Sequence, residues 1–104
     1  MNILEFLSTS LGSPIVSDRY NALVCLVKES LRNPQAIKQI KKNLQVANLD
    51  IVWNSLKVIY AISNRNPKAV DSFKNSILKL AKGSQHFGII FLCKTIIEAT
   101  IKQD

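Results

Sequence analysis

Arg32-Asn33-Pro34-Gln35-Ala36-Ile37 reappears as Arg65-Asn66-Pro67-Lys68-Ala69-Val70, a shift of 33 residues. Recurrence at such a period is the signature of stacked supersecondary units, so it decides how the rest of the chain is read. Outward from this segment, the same shift superposes Tyr20, Asn21, Leu23 and Leu26 on Trp53, Asn54, Leu56 and Ile59. One more shift reaches His86, Phe87, Ile89 and Leu92, where the apolar positions persist while the aromatic and the Asn are lost. The other half of the period behaves likewise: Leu4, Leu7 and Leu11 map to Ile37, Ile40 and Leu44, then to Val70, Phe73 and Ile77. Spacing of three then four places each set on one helical face. Three copies, about 1–32, 34–65 and 67–102, cover nearly all of a 104-residue chain that is read as a single domain.

The boundaries have physical causes. Proline pushes the residue before it out of the α region, Asn tolerates the left-handed conformation that ends helices, and Pro suits the first turn of the next helix. Asn33-Pro34 and Asn66-Pro67 therefore separate copies. Within copies the breaks are Gly12-Ser13-Pro14, Asn48-Leu49-Asp50 and Gly83-Ser84, with Ser17, Asp50 and Ser84 as expected N-caps. The pattern predicts six helices, at about 2–11, 17–32, 34–47, 50–64, 67–82 and 85–102. Gly and Pro number three each and no Asn-Gly or Asp-Gly turn links alternating apolar runs, which speaks against strands. The expected fold is all-α: three antiparallel helix hairpins stacked so that each covers its neighbour's apolar stripe.

Asp18-Arg19-Tyr20-Asn21-Ala22-Leu23 and Asp50-Ile51-Val52-Trp53-Asn54-Ser55-Leu56 resemble the opening of the second helix of a HEAT repeat, each followed by an Asn-Pro before the next hairpin. Armadillo repeats are the near cousin. Arg19 matches the family's characteristic Arg, whereas Val52 and Gln85 stand there in the other copies; Asp50 matches the turn Asp, replaced elsewhere by Ser17 and Gly83. The resemblance covers the whole chain and implies an α-solenoid that works as a scaffold, binding other proteins and less often nucleic acid.

Net charge is +7, from 14 Lys and Arg against 7 Asp and Glu. Between Arg32 and Lys82 lie ten basic residues and only Asp50 and Asp71 as acids. Lys38, Lys41 and Lys42 of the second copy, with Lys74 of the third, are the candidates for a basic band that meets phosphates or an acidic protein. A solvated lysine face that keeps an apolar-rich chain in solution is the plainer reading. Tyr20 and Trp53 are assigned to the repeat core, which leaves no aromatic among those lysines.

The last helix is unusually apolar. His86, Ile89, Cys93 and Ile96 form the inward stripe, yet Phe87, Ile90, Phe91 and Ile97 occupy much of the remaining circumference. Large apolar patches mark contact surfaces, so these four are the candidate protein-binding residues, for a partner or for a second copy in a homodimer. Close packing against its own hairpin is the alternative, and Ile3 and Phe6 raise the same question in the first helix.

No catalytic, cofactor-binding or metal-binding set is read from the sequence. His86 is the single histidine, the seven carboxylates are scattered, and phosphate-loop, dinucleotide, nucleophile-elbow and zinc-protease motifs are missing. Cys25 and Cys93 sit in helical apolar patterns and are expected to be buried thiols, which points to a reducing, cytoplasmic setting. The apolar run Phe87–Cys93 is far shorter than the roughly 20 residues that span a bilayer. The expectation is a non-enzymatic adaptor or accessory subunit without cofactor, with nucleic-acid binding as the alternative.

Overall fold

Three asparagines start three of the helices. The computed structural model describes residues 2–101, Ile101 by its helical backbone only. Helix α1 (Ile3–Ser10) begins after Asn2, whose Oδ1 accepts from the Glu5 amide at 2.9 Å while its Nδ2 donates to Glu5 Oε1 at 3.3 Å. Helix α3 (Pro34–Asn43) follows Asn33, which accepts from the Gln35 amide at 3.0 Å. Helix α4 (Leu49–Arg65) follows Asn48, which accepts from the amides of Asp50 and Ile51 at 2.9 and 3.2 Å. Each side chain satisfies amides that have no partner within the helix. Asn48 thus does the work expected of Asp50. Ser17 lies inside α2 (Val16–Ser30), which has no side-chain cap; Ser13 Oγ instead accepts from the Ile15 amide at 3.1 Å in the preceding turn.

The two Asn-Pro segments diverge. Neither asparagine is left-handed: Asn33 has φ −128° and Asn66 φ −148°, the extended backbone that a following proline enforces. After Asn33 an α-helix forms directly. After Asn66, whose side chain caps nothing, the chain winds as a 3-10 helix from Pro67 to Phe73 before α5 (Lys74–Gly83) and α6 (Phe87–Ile101). The single helix expected over 67–82 is therefore two pieces. No strand occurs among the described residues, and the chain is all-helical.

Packing follows chain order. Helix α1 lies on α2 and α3, α2 on α3 and α4, α4 on the 3-10 segment and α6, and α5 on α6. The molecule measures 36 × 31 × 20 Å, and the short dimension equals about two helix diameters. The buried apolar residues form one continuous core, in which Leu11, Ile40, Leu56 and Phe73 have no accessible surface. Burying each such side chain contributes roughly 1.5–3 kcal/mol.

Polar ties cross this core between elements remote in sequence. Asn43 Nδ2 donates to Ser8 Oγ at 2.8 Å, joining α3 to α1, and Asn54 Nδ2 donates to the Leu11 carbonyl at 2.8 Å, joining α4 to the end of α1. Gly12 admits α4 closely, since a Cβ there would stand 2.9 Å from Ile51 Cγ1. Gly88 does the same for α6, where a Cβ would lie 3.1 Å from Trp53 Cζ3. These contacts bring the N-terminal ends of α2, α4 and α6 to the same edge of the molecule, and the three helices run side by side.

Candidate interaction surface

Burial shows how α6 sits relative to α4. Ala22, Leu26 and Ser30 of α2 are buried, as are Ser55, Ile59 and Ser63, 33 residues on. Between α4 and α6 the matching step is 34: buried Ser55, Ile59 and Ile62 answer to buried Ile89, Cys93 and Ile96. Exposed Lys57, Tyr60 and Asn64 likewise answer to exposed Phe91, Lys94 and Glu98. The first helices of the second and third hairpins keep the 33-residue step, with Ile40 and Leu44 matching Phe73 and Ile77. The extra residue therefore enters between Ile77 and Ile89.

This corrects two expectations. His86 is exposed rather than a core residue; its amide donates to Ser84 Oγ at 3.1 Å and its Nδ1 accepts from the Ile89 amide at 3.4 Å, ahead of and across the start of α6. Phe87, rather than His86, takes the place of Trp53, so every copy carries an aromatic there: Tyr20, Trp53 and Phe87. Nor are they core residues throughout. Tyr20 is 65% exposed, Phe87 88%, and Trp53 is half-buried with Lys57 Nζ standing 5.7 Å from its ring centroid. That distance suits a cation–π contact, so aromatics and lysines do interleave on this face.

The four apolar candidates of α6 divide into pairs. Phe87 and Phe91, one turn apart, are 88% and 71% exposed, whereas Ile90 and Ile97 are half-buried. Ile97 lines a small apolar hollow of about 120 Å³ with Val70, Ile77, Leu78 and Ile96, between α5 and α6. Ile3 and Phe6 project from α1 at the opposite end and are exposed.

The lysine candidates do not form one cluster. Lys38 and Lys42 are exposed, lie one turn apart on α3 and line a hollow of about 400 Å³ against the start of α1, where Glu5 faces them. Lys41 is half-buried outside that hollow. Lys74 lies on α5, 3.4 Å from the Asp71 carboxylate. A groove of about 440 Å³ separates the α3–α4 turn from α5, lined by Leu44, Val46, Leu49, Leu80 and Lys79 among others.

The thiols differ. Cys93 is buried, and that burial raises its pKa to about 11, so it stays protonated; Cys25 is exposed, against expectation, because it lies on the side of α2 that α4 leaves uncovered. At the end of α2, Arg32 donates to Glu29 Oε1 at 2.6 Å, and this bond holds the Glu29 carboxyl below the ordinary carboxylate range. Among the described residues no group of three His, Cys, Asp or Glu side chains is placed to hold a metal ion. No described helix is long and apolar enough to cross a membrane. Comparison with known protein families, with curated proteins and with solved structures yields no match.

Proposed function

We propose that the chain is a HEAT-like stack of three hairpins serving as a non-enzymatic protein-interaction module, an adaptor or accessory subunit. The observation that carries this reading is the pair Phe87 and Phe91, both largely in solvent on a helix whose inward side is already filled by Ile89, Cys93 and Ile96. Aromatic residues, phenylalanine among them, are enriched at the cores of protein interfaces relative to the rest of the surface. The packing of each hairpin on the next supports the stack, and the two free thiols support a reducing, cytoplasmic setting. The partner is another protein, or a second copy meeting it through α6.

The test is affinity capture from native extract with the wild type and the Phe87→Ala/Phe91→Ala double variant as baits. Partners held by the wild type and lost from the variant are the expected result. An identical set on both baits, together with a monomer at high concentration, overturns the reading.

The second reading is a nucleic-acid accessory protein that neutralises phosphates with Lys38, Lys41, Lys42 and Lys74. It is favoured by the exposure of Lys38 and Lys42 side by side on α3. Its mark is a gel shift whose affinity collapses between low and moderate salt, and which Lys38→Glu/Lys42→Glu abolishes.

A further inference from the structure

The corner between the second and third hairpins stands open where the corner before it is shut. Between the first and second hairpins the opening turn of α4 closes on Gly12, so tightly that a Cβ there would stand 2.9 Å from Ile51 Cγ1. On the 34-residue step Leu49, the first residue of α4, corresponds to Gly83, yet α6 begins only at Phe87. The third hairpin thus lacks the helical turn that fills the corner in the second, and Gln45 and Gln85, both exposed, stand in the places of Gly12 and Ile51. What is left is the groove of about 440 Å³ between the α3–α4 turn and α5. Its deep side is made by Leu44, Val52 and Ile89, which are buried, and its walls by Val46 and Leu49, which are 40% and 53% exposed. Among the described residues no carboxylate lines it, Asp50 lying outside, and the one charged side chain on its rim is Lys79. The ion pairs found among those residues are Arg32–Glu29 and Lys74–Asp71, so Lys79 is not engaged in one.

We propose that this groove is a binding site for a small amphiphile with an apolar chain and a single carboxylate. The chain lies on Leu44, Val52 and Ile89, between Leu49 and Leu80, and the carboxylate meets Lys79. Sites for small molecules are concave, mostly apolar and of about 300–1,000 Å³, with a few polar groups that fix orientation; the corner has that make-up. The head group follows from charge: an unmatched cation beside an apolar trough attracts an anion and repels a second cation, and one lysine neutralises one negative charge. The chain follows from the walls, since Val46 and Leu49 leave water only when something apolar lies against them. Phe87 and Phe91 do not line the groove, so the site goes beyond the interaction-module reading and stands or falls without it.

The probe is decanoate, kept below the concentration at which it forms micelles, with decanol and decyltrimethylammonium as matched controls. Calorimetry measures affinity, and amide shifts in NMR locate the site. Saturable binding at one site per chain is expected, with shifts centred on Leu44–Leu49 and Lys79–Ile89. In a series from hexanoate to dodecanoate, each methylene tightens binding by up to about fourfold until the groove is full. Decanol binds roughly two- to fivefold more weakly than decanoate, the contribution of an exposed ion pair, and Lys79→Gln removes that difference without changing the affinity for decanol. Leu49→Asp places a like charge against the carboxylate and weakens decanoate by about tenfold or more. An acid at the first position of α4 suits the helix, and circular dichroism checks that each variant is folded. Phe87→Ala/Phe91→Ala leaves binding unchanged. Absence of saturable binding, decyltrimethylammonium binding as tightly as decanoate, or indifference to both groove variants overturns the proposal. So do groove amide shifts that change on dilution of the free protein, which mark a second copy as the occupant.

Discussion

Asn54→Ala isolates what one buried hydrogen bond contributes to joining the first two hairpins. The Asn54 amide is 8% exposed and donates to the Leu11 carbonyl at 2.8 Å, across 43 residues of sequence. Leu11 itself has no accessible surface, so truncation leaves its carbonyl facing an apolar gap that excludes water. A buried acceptor deprived of its donor costs about 1–3 kcal/mol, and a chain of this size has about 5–15 kcal/mol of stability in all. The expected loss is about 2 kcal/mol, equivalent to a fall in Tm on the order of 10 °C. Urea unfolding followed by Trp53 emission and circular dichroism gives the number, with the m-value checked for constancy. Asn21→Ala is the matched control, since Asn21 holds the same repeat position on α2 but is exposed; its effect is expected within about 0.5 kcal/mol. If Asn54→Ala also falls within about 0.5 kcal/mol of the wild type, the bond is no tie between hairpins.

Further outcomes follow from particular atoms. Gly83→Ala, in the last turn of α5 with nothing within 4 Å of the added Cβ, is expected to stabilise by about 0.5–1 kcal/mol in a thermal melt. Gly12→Ala, which drives a Cβ to 2.9 Å from Ile51, is expected to destabilise in the same melt. Ser55 Oγ is buried with no hydrogen-bond partner, so Ser55→Ala is expected to leave stability unchanged or raise it by up to about 1 kcal/mol in urea. With a maleimide at neutral pH, Cys25 is expected to react in the native state and Cys93 only on unfolding. Because burial raises the Cys93 pKa to about 11 while an unfolded thiol ionises lower, its contribution to stability is intact below the ordinary thiol pKa and fades as pH climbs towards 11. Replacing Cys93 by Ala flattens that decline.

Helix placement was legible because it depends on local signals. The three-then-four spacing of Leu4, Leu7 and Leu11 and its echoes gave each helix its inward stripe, and the Asn-Pro pairs set where hairpins meet. Caps were less legible, since Asn48, Leu49 and Asp50 offer two side chains able to accept the same amides and only the backbone decides between them. Tyr20 was misplaced because a stripe residue is covered only if a neighbour extends over it, and α2 has a neighbour on one side. Orientation of α6 was hidden for a different reason. Phe87 and Ile89 are apolar on either alignment with the second copy, so hydrophobicity alone does not distinguish a step of 33 from one of 34. An aromatic falling one place late, just ahead of Gly88, was the available sign.

That late arrival has an outcome of its own. One residue turns an α-helix by about 100°, yet α6 presents the same inward and outward sides as α4, so the link after Ile77 takes up the extra residue before the helix begins. Removing a single residue from 84–86 would restore the 33-residue step and leave Ile89, Cys93 and Ile96 facing inward, because burial of that stripe, and not the length of the link, sets the angle of the helix. Chains assembled from copied hairpins can thus accept short insertions and deletions at their corners while their interiors stay as they were.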